Sequence, residues 1–179
     1  GLDGRFMFLF TFDFMSVAKR KNPMGLVEAF KNAFAPGEGP QLVLKCSNGK
    51  SRPEKFAALE KAAEGRDDIT IINRYLDSEL LAGLMNMCDC YVSLHRSEGL
   101  GLTIAEAMLL GKPVVATGYS GKWTPLSPAY GAWKAKHSAA PILVGLRPLH
   151  KGTREHPTRP ESYSISGRMM QSLLVPLAD

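Results

Sequence analysis

A regular alternation of two kinds of segment, which continues as far as Gly121, most limits what this chain can fold into. Short apolar runs with the length of buried strands occupy residues 6–12, 41–46, 69–73, 89–94 and 113–117. Segments with helical periodicity separate these runs, so that a strand–helix unit recurs about every 20–25 residues. This order predicts an α/β fold, a Rossmann-like parallel sheet with helices on both faces. Ligands of such sheets bind beyond the carboxyl ends of the strands.

The helical segments carry recognisable start and stop signals. Asn22 is expected to cap the first helix, and residues 53–64 predict the second. Ser78 is expected to cap the third helix, with Leu80 among the residues that face the core. The fourth helix is expected over residues 103–110, where a glycine and a proline follow as stop signals.

The regular pattern ends after Gly121. Residues 122–179 contain seven of the twelve prolines, and eight basic residues against three acidic ones. Residues 1–121 are neutral, so the last segment carries the whole net charge of +5. We therefore predict an incomplete domain over residues 1–121 and an irregular, basic, proline-rich tail over residues 122–179. A basic tail alone is weak support for a nucleic-acid surface, and no nucleic-acid partner is expected.

The cysteines and the hydropathy limit the class of protein further. Cys88-Asp89-Cys90 lacks the two-residue gap of zinc and redox pairs, and with Cys46 the cysteine count is odd. Reduced core thiols in a cytoplasmic protein are therefore expected rather than metal ligands. No apolar run approaches the roughly 20 residues needed to span a bilayer. Because Gly1 lies so close to the first strand, we expect a fragment of a longer protein.

The stretch "RSEGLGLTIAEAM", residues 96–108, is the most specific candidate site. It follows the fourth predicted strand directly, so it lies at a carboxyl end of the sheet. Gly99 and Gly101 allow the backbone to approach a ligand closely. The helix that begins near Thr103 offers unpaired N–H groups and a positive dipole end to phosphate. Glu106, expected in the first turn, can accept hydrogen bonds from ribose hydroxyls, so the stretch as a whole describes a nucleotide-sugar site.

Each of these residues, taken alone, also fits a structural role. Thr103 and Glu106 match a capping box, in which the glutamate only completes the helix start. Glu98 alone is typical of a solvated loop, and the two glycines alone are typical of an ordinary turn. Their combination at this spacing is what favours a binding site.

The longer segment "SLHRSEGLGLTIAEAMLLGKPVVATGYSG" resembles the donor-binding, C-terminal domain of GT-B glycosyltransferases of the family usually numbered four, which are retaining enzymes. The family's signature, two glutamates separated by seven residues, matches Glu98 and Glu106. The resemblance implies that Glu106 binds the ribose of a nucleotide diphosphate sugar and that Glu98 contacts the sugar ring near the reacting carbon. It also implies that the sugar hydroxyls and the diphosphate meet backbone amides of Gly99, Leu100, Gly101, Leu102 and Thr103.

The same resemblance places a basic pair after the first strand, where it neutralises the leaving diphosphate. Lys21 matches the family's lysine, whereas Ser16 stands where the family has an arginine, and Arg20 is the candidate substitute. This basic run also fits a solvated loop. His95 either contacts the donor or makes a structural hydrogen bond. No cofactor and no metal are expected, because cations and helix amides can stabilise the leaving group and no Asp-x-Asp motif occurs.

The resemblance covers about residues 6–121 and implies a glycosyltransferase fragment that is inactive alone. The N-terminal acceptor domain would be missing, the acceptor is unknown, and membrane association of the full protein is left open. We hypothesise that residues 122–179 are translated out of frame, which sequencing of the underlying DNA decides. Two alternatives remain: a non-catalytic, nucleotide-binding or regulatory α/β module, and a nucleic-acid-binding protein that acts through its basic tail.

Overall fold

The computed structural model describes residues 4–16, 18–96, 101–117, 141–144 and 168–169. Its helices and strands are, in chain order, β1 (Met7–Asp13), α1 (Ala18–Lys21), α2 (Pro23–Ala33), β2 (Gln41–Ser47), α3 (Pro53–Ala63), β3 (Ile69–Asn73), α4 (Ser78–Met87), β4 (Cys90–Ser93), α5 (Leu102–Leu109), β5 (Val114–Thr117) and β6 (Pro141–Val144). A short 3-10 turn, Gly49–Ser51, follows β2.

The strands form one sheet in the order β3-β2-β1-β4-β5-β6. The first five are parallel, and β6 pairs antiparallel with the edge of β5. All five predicted strands are present, within one residue at each end. The Rossmann-like α/β fold class predicted from the alternating pattern is therefore confirmed.

Side chains of β1 show that helices cover both faces of the sheet. Phe8 packs edge-on against Phe30 of α2, with the ring centroids 6.2 Å apart. Thr11 points to the opposite face, where its hydroxyl lies 2.9 Å from the hydroxyl of Tyr91 on β4. Tyr91 in turn hydrogen-bonds the side chain of Thr103 on α5. The core thus consists of two layers, one on each side of a central β1.

Two of the predicted helix starts differ in the structure. The cap of α4 is Asp77 rather than Ser78, because the extended backbone of Asp77 brings its carboxylate within 2.8 Å of the Leu80 N–H. Leu80, expected to face the core, is 57% exposed. Asn22 does precede α2, but its backbone is left-handed (φ 54°) and its side chain makes no capping hydrogen bond. That side chain packs against Gly25, where a Cβ would lie 2.7 Å from it.

Two described segments lie beyond residue 121, and both contact the domain. One is β6, and the other contains Arg168 and Met169. Arg168 forms an ion pair of 2.6 Å with Glu38 and donates to the carbonyl of Ala33, while Met169 is fully buried. The rest of the predicted tail lies outside the described residues, so the domain boundary stays a prediction.

Candidate functional site

The direction of strand addition reverses between β1 and β4, which marks the expected ligand crevice of an open α/β sheet. Arg20 and Lys21 lie in α1, in the segment that follows β1. His95 and Arg96 lie just beyond the end of β4, after Leu94. The Arg96 N–H donates to the carbonyl oxygen of Arg20 over 2.7 Å. The structure therefore joins the predicted basic loop to the first residue of the predicted glycine-rich motif.

This hydrogen bond brings three cationic residues to one edge of the sheet. Arg20 and Lys21 are half-buried, and Arg96 is exposed. A role was predicted from the sequence for Arg20 and Lys21 but not for Arg96, although Arg96 opens the stretch "RSEGLGLTIAEAM". Its position shortly after the buried strand β4 was the signal that could have identified it, because ligands of such sheets bind beyond the carboxyl ends of the strands.

Helix α5 begins at the same edge. Gly101 stands at its N-cap with a left-handed backbone (φ 65°), a conformation that favours glycine. The N–H groups of Ile104 and Ala105 both donate to the Gly101 carbonyl, each over 3.0 Å. The N–H groups of Leu102 and Thr103 precede these and are not used by the helix itself. The start of α5 can therefore donate to an anion, with the helix dipole adding to the attraction.

The capping-box interpretation of Thr103 and Glu106 is wrong. The cap is Gly101, it has no side-chain hydrogen bond, and Thr103 is the second residue of the helix. Glu106 is consequently the fifth residue, in the second turn rather than the first, and it is exposed. The helix start does not need its carboxylate, which leaves that group available for another role.

Tyr91 fixes the relative positions of the three elements around this edge. It is fully buried, and its hydroxyl bonds Thr11 of β1 and Thr103 of α5. Burial raises the pKa of Tyr91 to about 12, so the phenol is neutral at physiological pH. These two hydrogen bonds link β1, β4 and the first turn of α5.

His95 is fully buried, and its Nδ1 lies 3.1 Å from the Ser93 hydroxyl. The structural hydrogen bond that was one of its two expected roles is thus present, and donor contact stays a prediction. Glu98, Gly99 and Leu100 lie outside the described residues. Of the predicted catalytic pair, Glu98 and Lys21, only Lys21 is among the described residues.

The three cysteines are buried, and no disulfide joins them. Burial raises the pKa of Cys46 to about 11 and that of Cys88 to about 12, as expected for core thiols. Within the described ranges, no group of three His, Cys, Asp or Glu side chains is arranged to hold a metal ion. In the same ranges, no helix has the length and apolarity to cross a membrane.

The family model described as "Glycosyl transferases group 1" matches residues 14–137, well over half of the sequence. The chain therefore belongs to this family. The match includes α1, both cationic segments and α5, which together surround the crevice. No significant match is found among curated protein sequences.

Solved structures show the same fold. The chain is 24% identical to a sucrose-phosphate synthase from Thermosynechococcus elongatus, with a TM-score of 0.50, covering 63% of this chain and 28% of that one. An α,α-trehalose 6-phosphate synthase from Burkholderia multivorans gives 17% identity and a TM-score of 0.53, covering 97% of this chain and 36% of that one. The C-terminal domain of a group 1 glycosyl transferase from Francisella tularensis gives 20% identity and a TM-score of 0.52, covering 69% of this chain and 62% of that one.

These neighbours are GT-B glycosyltransferases, and at such identities the likeness concerns the fold. The chain spans less than two thirds of the length of each of the three. Its sheet is thus the Rossmann-like sheet of a GT-B glycosyltransferase.

Proposed function

We propose that this chain is the donor-binding part of a retaining glycosyltransferase of the family-four type. Its donor would be a nucleotide diphosphate sugar, and the complete protein would transfer the sugar to an acceptor with retention of configuration. The observation that carries the proposal is the 2.7 Å hydrogen bond between Arg96 and Arg20. It brings the basic segment after β1 beside the motif after β4 at the switch point of the sheet.

The diphosphate would bind between these two segments. Lys21 and Arg20 supply positive charge from α1, and the N–H groups of Leu102 and Thr103 supply donors from the start of α5. Gly99, Leu100 and Gly101 would add backbone amides for the sugar hydroxyls and the diphosphate. Charged and amide donors that meet at one crevice suit a ligand with two phosphoryl groups.

The two glutamates of the motif would bind the hydroxyl-bearing parts of the donor. Glu106 would accept hydrogen bonds from the ribose, which its exposure on the second turn of α5 allows. Glu98 would contact the sugar ring near the reacting carbon. His95 would either approach the sugar or hold the loop through Ser93.

In the transfer reaction these residues would mainly orient the donor and stabilise the negative charge of the leaving diphosphate. When the bond between the sugar and the diphosphate breaks, negative charge grows on the departing phosphate oxygen. Lys21, Arg20 and the helix amides would stabilise that charge without a bound metal. As the acceptor oxygen bonds to the anomeric carbon, the proton of its hydroxyl would pass to the departing phosphate oxygen. Acceptor recognition would come from a second domain beyond this chain, which leaves membrane association of the complete protein open.

The proposal is tested by thermal unfolding of the whole chain in the presence of UDP- and GDP-hexoses. The whole chain is needed, because β6 pairs with β5 and Met169 belongs to the hydrophobic core, so their removal would damage the domain. A ligand present at about 100 times its Kd stabilises a protein by about 2.7 kcal/mol. For a chain of this size that shift corresponds to a Tm rise of about 5–10 °C.

The alternatives give different results in the same assay. A non-catalytic nucleotide-binding module would be stabilised equally by the nucleoside diphosphate and by its sugar conjugate. A nucleic-acid-binding protein would be stabilised by an oligonucleotide and not by either small ligand. If no nucleotide sugar raises Tm, the proposed function is wrong.

A further inference from the structure

A cavity of about 470 Å³ opens on the same edge of the sheet as the proposed donor site. It is bounded by the ends of β1 and β2 and by the segment that leads into α4. Three of its residues define its chemistry: the carboxylate of Asp13, the ammonium group of Lys45 and the ring of Tyr75, which is 84% exposed. The cavity thus combines one cation, one anion and one accessible aromatic surface.

Lys45 is the unusual member of this set. It is only 7% exposed. In the part of the chain that the structure describes, its ammonium group makes neither a hydrogen bond nor an ion pair. Its charged neighbour is Asp13, whose ionised form it favours from a distance. A buried ammonium group without a partner is unfavourable for folding, which points to a ligand as the missing partner.

Asp13 is held in place by its own hydrogen bonds. Its carboxylate accepts from Asn48 Nδ2 at 2.9 and 3.0 Å and from the Met15 N–H at 2.7 Å, and it also hydrogen-bonds the side chain of Ser47. Partial burial raises the pKa of Asp13, but these hydrogen bonds outweigh that effect and the pKa lies below its usual value. With Asn48, Met15 and Ser47 as its three donor groups, the carboxylate has about one of its four acceptor positions left for a ligand N–H.

The register of the sheet places Lys45 on the side of the proposed nucleotide. Lys45 pairs with Thr11 of β1, and paired residues of parallel strands point to the same face. Thr11 bonds Tyr91, which contacts α5. Strand β2, which carries Lys45, lies two strand spacings, or about 10 Å, from β4 on the far side of the crevice, a distance that a ribose and a base can span.

Lys45 and Asp13 together complement one arrangement of hydrogen-bond acceptor and donor on a base. An ammonium group only donates hydrogen bonds, and a carboxylate only accepts them. Uracil and guanine each present an oxo oxygen next to a ring N–H, which complements this pair. Cytosine and adenine present an amino group next to an unprotonated ring nitrogen, which reverses the pattern. Tyr75 offers a surface on which either kind of base can stack.

We propose that Lys45 and Asp13 determine the base of the donor. Lys45 donates to the oxo oxygen and Asp13 accepts from the adjacent ring N–H, so the donor carries uracil or guanine. This proposal rests on the proposed function, because it requires a nucleotide at the crevice.

Calorimetric titration of the whole chain with UDP, CDP, GDP and ADP tests it. UDP should bind at least tenfold more tightly than CDP, and GDP at least tenfold more tightly than ADP, because the wrong base leaves the buried Lys45 ammonium group unpaired and turns an acceptor towards the Asp13 carboxylate. Comparison of UDP with GDP then shows which of the two bases is used. In Lys45→Met, the affinity for the preferred nucleotide should fall about tenfold to a hundredfold, and the preference should disappear.

The same substitution at the exposed Lys61 of α3 is the matched control and should change neither quantity. Without ligand, Lys45→Met should unfold at the same or a higher temperature than the wild type, since it removes an unpartnered buried charge. A lower Tm together with an unchanged base preference would mean that Lys45 only supports Asp13, and would overturn the proposal. Lys45→Gln provides a second test of the preference if the methionine variant does not fold.

The outcomes also separate this proposal from the proposed function. Equal binding of all four nucleotides by the wild type overturns the base assignment alone. A wild-type chain that binds none of them overturns both.

Discussion

Replacement of Glu106 by glutamine separates binding from folding at the proposed ribose site. Glu106 is exposed on the second turn of α5, and the helix is capped by Gly101 without any side-chain bond. The substitution therefore removes no contact that the helix start needs. We expect the free energy of unfolding to change by less than about 0.5 kcal/mol, as measured by urea denaturation.

The affinity for a nucleoside diphosphate should respond more strongly to the same change. A hydrogen bond to a charged group contributes about 1.5–3 kcal/mol, against about 0.5–1.5 for a neutral one. Loss of the charge should therefore cost about 1–2 kcal/mol of binding, or about a five- to thirtyfold rise in Kd. Isothermal titration calorimetry measures this Kd directly.

Glu60→Gln supplies the matched control, because Glu60 is exposed on α3, away from the crevice. Its nucleotide affinity and its stability should both equal those of the wild type. If Glu106→Gln also binds nucleotide as tightly as the wild type, Glu106 does not hold the ribose and the assignment fails.

Four further outcomes are expected. Glu98→Gln should leave binding of the bare nucleoside diphosphate unchanged and weaken binding of the nucleotide sugar in calorimetry; equal losses for both would contradict its sugar contact. Asp68→Ala, which strips the 2.7 Å partner from a buried Arg66, should lower the urea-derived stability by about 3–5 kcal/mol; a loss below about 1 kcal/mol would contradict a buried pair. Burial raises the pKa of Cys88 and Tyr91 to about 12, above their ordinary values of 9.0 and 10.0. The contribution of these two groups to stability should therefore be constant below pH 8 and fall as pH rises from about 9 to 12, because the unfolded chain ionises first; a flat profile between pH 9 and 12 would contradict their burial. The chain alone should transfer no sugar in a product assay, and turnover would show that no second domain is needed.

Most of the fold could be predicted from the sequence, because apolar residues recur with a regular spacing along its longer helices and strands. The five parallel strands and the two long helices of the first half follow from apolar runs and stripes. Two short elements, α1 and β6, were not predicted, because Ala18–Lys21 carries no apolar stripe and the brief apolar run of β6 lies in an irregular, proline-rich segment. The pairing of β6 depends on the free edge of β5, which is a tertiary property. The cap of α4 is Asp77 rather than the predicted Ser78 for a similar reason. Both residue types can cap a helix, and only the backbone conformation in the folded protein decides which one does.

The candidate site stays a prediction. Its location follows from the rule that ligands bind at carboxyl ends of parallel strands, and the hydrogen bond between Arg96 and Arg20 brings two of its segments together. The turn that holds Glu106 was misplaced, because the left-handed Gly101 starts the helix earlier than a threonine cap would. Lys45 was passed over within an apolar strand, although a lysine inside a buried run is itself a signal.

The central claim is that the crevice between β1 and β4 binds the diphosphate of a nucleotide. Amide chemical-shift mapping of the whole chain by NMR, during titration with UDP or GDP, tests it most directly. The largest shifts are predicted at residues 20–21, 95–96 and 101–103, which come together only in the folded sheet. Shifts confined to another part of the surface, such as the groove beside Lys61, Glu64 and Ile71, would contradict it.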